Sequence, residues 1–299
     1  MIKNSISSLI AITILATTSC KKKNDDDSST ASQPKLILKF KFDSTQVRLD
    51  NFGNVATVPV GNASQSPVFN SMSSHYIEFA PTEFTALGSG FVAYRNAETT
   101  AGGDNAIDFS KSKLAGNNEE FFSMNLSDIT PGTYNYLRVS LAYQNYVIRY
   151  AYNYNGTLYD NLSGTLASFI GFNSYITSFK VRDCTVVLNA NKKQGYWAFE
   201  YHDWSLPVIS GQAPEGATSV PNPIASTSPI PAGSCVVTGA FSAPLTLTGT
   251  EEHDVVIVVS LSTNNSFEWK ENGGNTLYEP AAGDTVVDMG IRGLIPIVQ

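Results

Sequence analysis

In almost every apolar stretch of this chain the apolar residues recur at every second position. Leu36, Leu38, Phe40 and Phe42 alternate with Ile37, Lys39 and Lys41. Successive side chains of an extended backbone point to opposite sides, so this is the pattern of a strand with one buried and one wet face. The same period predicts strands over Val55–Val60, Tyr76–Phe79, Gly90–Arg95, Phe121–Leu126, Tyr134–Ala142, Val147–Tyr154, Ser168–Val181, Thr185–Asn189 and Tyr196–Trp204. It resumes over Cys235–Phe241, Leu245–Leu247, Asp254–Ser262, Ser266–Lys270 and Thr285–Met289. Within the third of these, Val255–Val259 is apolar on both faces, as expected of a central strand covered on both sides. No window longer than two turns has helical periodicity. Turn formers such as Pro131-Gly132, Asn155-Gly156 and Asn272-Gly273-Gly274 separate the runs. Asn155-Gly156 suits a type I′ turn and predicts a hairpin between Val147–Tyr154 and Thr157–Tyr159. Many short strands at about 8–12-residue spacing predict an all-β fold, a β-sandwich of two packed sheets, with a barrel as the alternative.

The stretch 206–233 breaks the pattern. It holds Pro207, Pro214, Pro221, Pro223, Pro229 and Pro231 among Gly, Ser and Thr, and cannot pair as a central strand. It is either an interdomain linker or a long ordered loop. The segment after it is about 65 residues, marginal on its own, so one domain over 35–299 with a proline-rich excursion is expected.

The N-terminus carries an address. Lys3 precedes a short apolar run, Ile6–Thr18, that falls short of the roughly 20 residues a membrane span needs. It reads as a signal peptide over 1–19. Ala16-Thr17-Thr18-Ser19-Cys20 resembles the lipobox of bacterial lipoproteins, with Thr17 where an aliphatic residue is usual. The resemblance implies a lipid (palmitate among its chains) on Cys20 as a membrane anchor. The alternative is an ordinary secretory signal cleaved near Ser19. The polar segment 20–34, with Lys21-Lys22-Lys23-Asn24-Asp25-Asp26-Asp27, has nothing to bury and reads as a solvated tether. It resembles the charged segments that in Bacteroidetes accompany export to the outer face of the outer membrane, which implies a protein facing the cell exterior.

Removing Lys3 with the signal leaves 18 basic against 26 acidic side chains, a net charge of −8. An acidic chain with no Lys/Arg cluster outside the tether argues against nucleic acid as a partner. With Cys20 lipidated, Cys184 and Cys235 remain. In an oxidising compartment a disulfide between them is expected, closing a loop worth about 4 kcal/mol in the chain-entropy model. The alternative is two buried thiols acting as small apolar groups.

Catalytic templates are missing: there is no GxSxG, HExxH, P-loop or GxGxxG. On a strand through Tyr196–Trp204, Trp197, Phe199, Tyr201 and Asp203 share one face, and Glu200 and His202 project together from the other. Glu200 and His202, joined by His253 if the strands adjoin, are candidate metal ligands. The alternative is an aromatic core face opposite a wet one. Tyr150, Tyr152 and Tyr154 align on one face and are a candidate sugar-stacking platform, although Tyr also favours strands and edges for its packing.

Together these features are similar to the uncharacterised outer-membrane lipoproteins of Bacteroidetes. The segment Ile129–Val139, with Pro131-Gly132-Thr133-Tyr134, resembles the Pro-Gly-x-Tyr strand entry of the MbnP-like copper-associated β-proteins, and Gly195-Tyr196-Trp197-Ala198-Phe199-Glu200 loosely resembles their Gly-Tyr-aromatic segment. That family's histidine-rich ligand set has no counterpart here. Three functions follow as expectations. The first is a non-catalytic binding or scaffold lipoprotein without a cofactor, working with other surface proteins. The second is a metal-associated β-sandwich, and the third a glycan-binding or glycan-active protein.

Overall fold

The computed structural model describes residues 33–299 except Trp204 and Ala232. Cys20, the expected signal and all of the expected tether except Gln33 and Pro34 lie outside these residues. In chain order the strands are β1 (Lys35–Asp43), β2 (Asn62–Gln65), β3 (Val68–Ala80), β4 (Phe91–Arg95), β5 (Glu98–Thr99), β6 (Ala106–Asp108), β7 (Glu120–Asn125), β8 (Gly132–Tyr154), β9 (Thr157–Phe169), β10 (Asn173–Lys180), β11 (Thr185–Lys193), β12 (Tyr196–Tyr201), β13 (Ile209–Gln212), β14 (Val236–Leu247), β15 (Val255–Ser262), β16 (Phe267–Lys270), β17 (Thr285–Asp288) and β18 (Leu294–Val298). Among the described residues the helical elements are three short 3-10 turns, and no helix is long and apolar enough to cross a membrane.

The chain is all-β and sandwich-like, as the period-two pattern predicts. One sheet runs β18-β15-β1-β7, with β1 and β15 parallel. A curled seven-stranded sheet runs β13-β12-β9-β8-β3-β4, with β14 beside β8. Its spine is β8, which pairs along one side with β3 over Tyr136–Val147. Along its other side β8 pairs first with β14, over Gly132–Ser140, and then with β9, over Tyr143–Tyr154. The apolar faces of the two sheets meet in one core, where Leu36, Leu38 and Phe40 of β1 join Ile77 and Phe79 of β3 and Val139 of β8. A second cluster lies on the opposite face of the large sheet, where Tyr143, Phe169 and Ala198 pack against Ile176 and Phe179 of β10. Each fully buried Leu or Phe contributes about 1.5–3 kcal/mol of transfer free energy.

The hairpin forms as expected: Tyr154 pairs with Thr157, and Asn155 (φ 50°) and Gly156 (φ 83°) take the left-handed values of a type I′ turn. The central position expected for Val255–Val259 also holds, because β15 lies between β1 and β18. Other expectations need correction. Val55–Val60 is not a strand: Val55 makes one isolated bridge to Leu49, and Val55 and Val60 are exposed. Alternation there finds no sheet to pair with. Tyr134–Ala142 and Val147–Tyr154 are one continuous strand, β8, because the residues between them stay hydrogen-bonded to β3 and β9. Ser168–Val181 is instead broken at Gly171, where a Cβ would lie 2.6 Å from Ile107 Cδ1 and 3.3 Å from Ala142 Cα.

The proline-rich stretch is an ordered part of the unit 33–299. Its Ile209–Gln212 forms the edge strand β13 against β12, the position that prolines on either side allow. Ala217, Val220 and Ile224 are buried. The expected Cys184–Cys235 disulfide is not formed. Cys184 is exposed just before the edge strand β11. Cys235 is buried beside β8, its thiol donating to the Thr218 carbonyl at 3.1 Å, and burial pushes its pKa up to about 12. The topology carries the two sulfurs to different environments.

Candidate functional site: an aromatic cleft

The face of β12 that carries Trp197, Phe199 and Tyr201 does not end in a closed core. It lines a cleft of about 540 Å³, together with Ile148, Tyr150 and Tyr152 of β8. The opposite wall comes from Phe267 of β16 and from Tyr278, Pro280 and Asp284 in the loop between β16 and β17. The strand faces follow from period two, and the loop is held by its own side chains. Asp284 accepts the backbone N–H of Asn272 (2.9 Å) and of Glu279 (2.7 Å), and Ala151 of β8 donates to the Tyr278 carbonyl (2.8 Å).

The rings are organised in two sets. Tyr150, Phe199 and Tyr201 pack edge to face, with centroids 5.0–5.7 Å apart. Across the cleft Phe267, Trp269 and Tyr278 lie 5.0–6.0 Å apart. Such tilted contacts hold the rings as a rigid frame. Among the described residues, no protein hydrogen bond engages the hydroxyls of Tyr150, Tyr201 and Tyr278 or the indole N–H of Trp197. Burial, with the charges of Asp203 and Tyr201 nearby, raises Tyr150 to about 12; burial and Asp284 do the same for Tyr278. These phenols stay protonated and can donate to a ligand.

Of the expected stacking platform, Tyr150 and Tyr152 reach the cleft and Tyr154 does not line it. The three do not form a flat surface. Exposure climbs from 5% to 38% to 50% toward the hairpin tip, and a register shift with β9 separates Tyr150 from Tyr152. The sequence also left Tyr278 and Asp284 unmarked as cleft residues. Tyr278 is an aromatic in a loop of Gly, Asn and Pro, and that mismatch with its surroundings is the signal that could have found it.

The metal site expected from Glu200, His202 and His253 is not assembled; among the described residues no group of three or more His, Cys, Asp or Glu could hold an ion. Glu200 accepts the backbone N–H groups of Arg182 (2.9 Å), Asp183 (3.1 Å) and Cys184 (3.0 Å), closing the turn between β10 and β11. His202 Nε2 is 2.7 Å from Thr165 Oγ1. His253 sits exposed in the turn before β15, where Asp254 accepts the Lys35 N–H (2.7 Å). A carboxylate that serves three amides is committed to the fold.

That commitment is measurable. Burial alone would raise the Glu200 pKa, but the N–H donors of Cys184, Arg182 and Asp183 outweigh it and hold the group below its ordinary value. Glu200→Gln is expected to lower stability by about 1.5–3 kcal/mol at pH 7 in urea unfolding. A carboxylate with a depressed folded pKa stabilises above its unfolded value of 4.5 and loses this as pH falls through the folded value. The gap between wild type and variant should therefore close below pH 4.5; a gap independent of pH would contradict the assignment.

Compared with family models, with curated proteins and with solved structures, the chain finds no match.

Proposed function

We propose that this protein is a lipid-tethered binding protein, held to a bacterial outer membrane through Cys20 and facing outward, that captures a small ring-bearing or branched ligand in the aromatic cleft. The observation that carries the reading is the convergence of Trp197, Phe199, Tyr201, Tyr150, Phe267 and Tyr278 on one mostly apolar space with polar tips left for a ligand. Small-molecule sites combine these two properties: an apolar body for affinity and a few polar groups for orientation. Binding is favoured over catalysis because the acid in the cleft wall, Asp284, has both oxygens engaged by backbone amides. The tether is supported by the small residues before Cys20 and the charged segment after it.

A carbohydrate is the second reading. Tyr152, Tyr154 and Tyr159 are 38%, 50% and 42% exposed on the β8–β9 hairpin, with Tyr152 and Tyr159 directly paired, so sugar rings could extend from the cleft along this arm.

The test is a thermal-shift and calorimetric screen of the soluble chain Ser32–Gln299, which contains the whole compact unit, against cyclic, aromatic and oligosaccharide ligands. A ligand present at about 100 times its Kd should add about 2.7 kcal/mol and raise Tm by a few degrees. Loss of the shift in Tyr201→Ala supports the cleft; an unchanged shift in that variant, or silence from the panel and from branched probes such as 3,3-dimethylbutan-1-ol and choline alike, overturns it.

One glycine gives a sharper check. A Cβ on Gly164 of β9 would lie 1.9 Å from Phe199 Cζ, so a methyl group there must swing the ring toward the cleft. Gly164→Ala is expected to weaken any cleft ligand about tenfold, or about 1.4 kcal/mol, while costing the fold about 1–3 kcal/mol. Titration calorimetry beside urea unfolding reads both.

A further inference from the structure

Two walls of aromatic rings fix what the cleft can hold, and its charges narrow the choice further. Among the described residues, no lysine, arginine or histidine lines it, whereas Asp284 does. Asp203, which accepts the Ser163 N–H at 2.8 Å, lies within electrostatic reach of the Tyr150 hydroxyl. An anionic ligand would enter without a counter-charge, against these carboxylates and against the negative π faces of the rings. A neutral ligand would gain burial and nothing from the field. A cation gains from both, because the ring quadrupole attracts positive charge over its face and a carboxylate beside the site adds to this. Aromatic walls also remove water without demanding hydrogen bonds from the guest. That suits a substituted ammonium, whose charge is spread over alkyl groups and which has few or no N–H donors. The chain's basic groups are sparse, and its net charge of −7 points the same way at longer range.

We infer that the cleft selects an organic cation, a tertiary or quaternary ammonium compound, seated between the β12 face at Trp197 and Tyr201 and the Tyr278–Asp284 loop. This rests on the reading of the cleft as a ligand site and goes beyond it by assigning the ligand its charge.

The test uses three probes of nearly one shape: choline, the neutral 3,3-dimethylbutan-1-ol, and the anionic 3,3-dimethylbutanoate. Binding to the soluble chain Ser32–Gln299 is followed by calorimetry and by tryptophan fluorescence. Choline is expected to bind about tenfold more tightly than the neutral isostere, and the anion most weakly. In Trp197→Leu, which keeps an apolar wall but removes a π face, the preference for choline should fall toward unity. Asp284→Asn should reduce it in part; because that change also touches the loop, the wild-type comparison is the deciding one. If the neutral isostere binds as tightly as choline, the cation assignment is overturned while the cleft remains a ligand site. If none of the three binds and the cyclic panel does, the assignment is overturned in the same way. Silence from both sets overturns the site as well.

Discussion

Arg138→Met is expected to unfold with about 3–5 kcal/mol less free energy than the wild type, the penalty for stranding one member of a buried ion pair. Arg138 on β8 and Glu78 on β3 are 1% and 0% exposed at the centre of the large sheet. Their Nη1–Oε2 separation is 3.3 Å. The guanidinium also donates to the Thr85 carbonyl (2.8 Å) and to Ser228 Oγ (2.6 Å). Glu78 in turn accepts the Gly90 N–H at 2.6 Å and the Gly88 N–H at 3.2 Å. One pair therefore fastens two excursions to the sheet: the loop before β4, and the proline-rich stretch through Ser228. Methionine fills the space of the side chain but leaves the Glu78 charge without its partner. The double variant Glu78→Gln with Arg138→Met should lose less than the sum of the single losses, because the uncompensated charge is then gone. Urea unfolding of the four proteins measures this; a single-variant loss under about 1 kcal/mol would mean that the pair is hydrated or yielding.

Trp269→Ala should cost a similar amount, about 3–5 kcal/mol, through the cavity it opens. Trp269 is 2% exposed, lies 6.0 Å from Phe267 and 5.4 Å from Tyr278, and donates Nε1–H to Glu271 (3.3 Å). It stands directly behind the rings of one cleft wall. Its removal should thus lower Tm by roughly 10 °C in a domain of this size and also weaken ligand binding, although it does not line the cleft itself. Differential scanning calorimetry with and without a cleft ligand separates the two effects. Full retention of affinity would show that Tyr278 keeps its position without Trp269.

The contrast between Glu200 and Asp288 illustrates how little a residue type says about its role. Both are acids on or near a strand. Glu200 meets three amide donors, which hold it ionised. Asp288 is buried among Arg292 (3.0 Å), Arg48 (3.8 Å) and Glu268, and burial outweighs the arginines, so its pKa rises to about 6. The linkage consequences oppose each other: Glu200 adds stability as pH rises from its depressed folded value up to 4.5, while Asp288 costs stability as pH rises from 3.8 to about 6.

The strands were legible because their signal is local. Alternation at Leu36, Leu38 and Phe40 reports a half-buried pleat whichever sheet receives it, and Asn155-Gly156 needs only its own backbone preferences to close the β8–β9 hairpin. The aromatic face of Trp197, Phe199 and Tyr201 was likewise readable from its spacing. Pairing was not. β1 joins β15 across more than 200 residues, as in the register of Leu36 with Val255, and no local pattern encodes a partner so distant. Nor could spacing tell that the face of β12 borders open space, that Tyr278 closes it from a loop, that Glu200 spends its oxygens on the turn at Arg182–Cys184, or that Cys184 and Cys235 end in different surroundings. Each of those outcomes depends on which surfaces the folded chain brings together and on what is left to cover them. Periodicity makes the strands, and long-range packing makes the site.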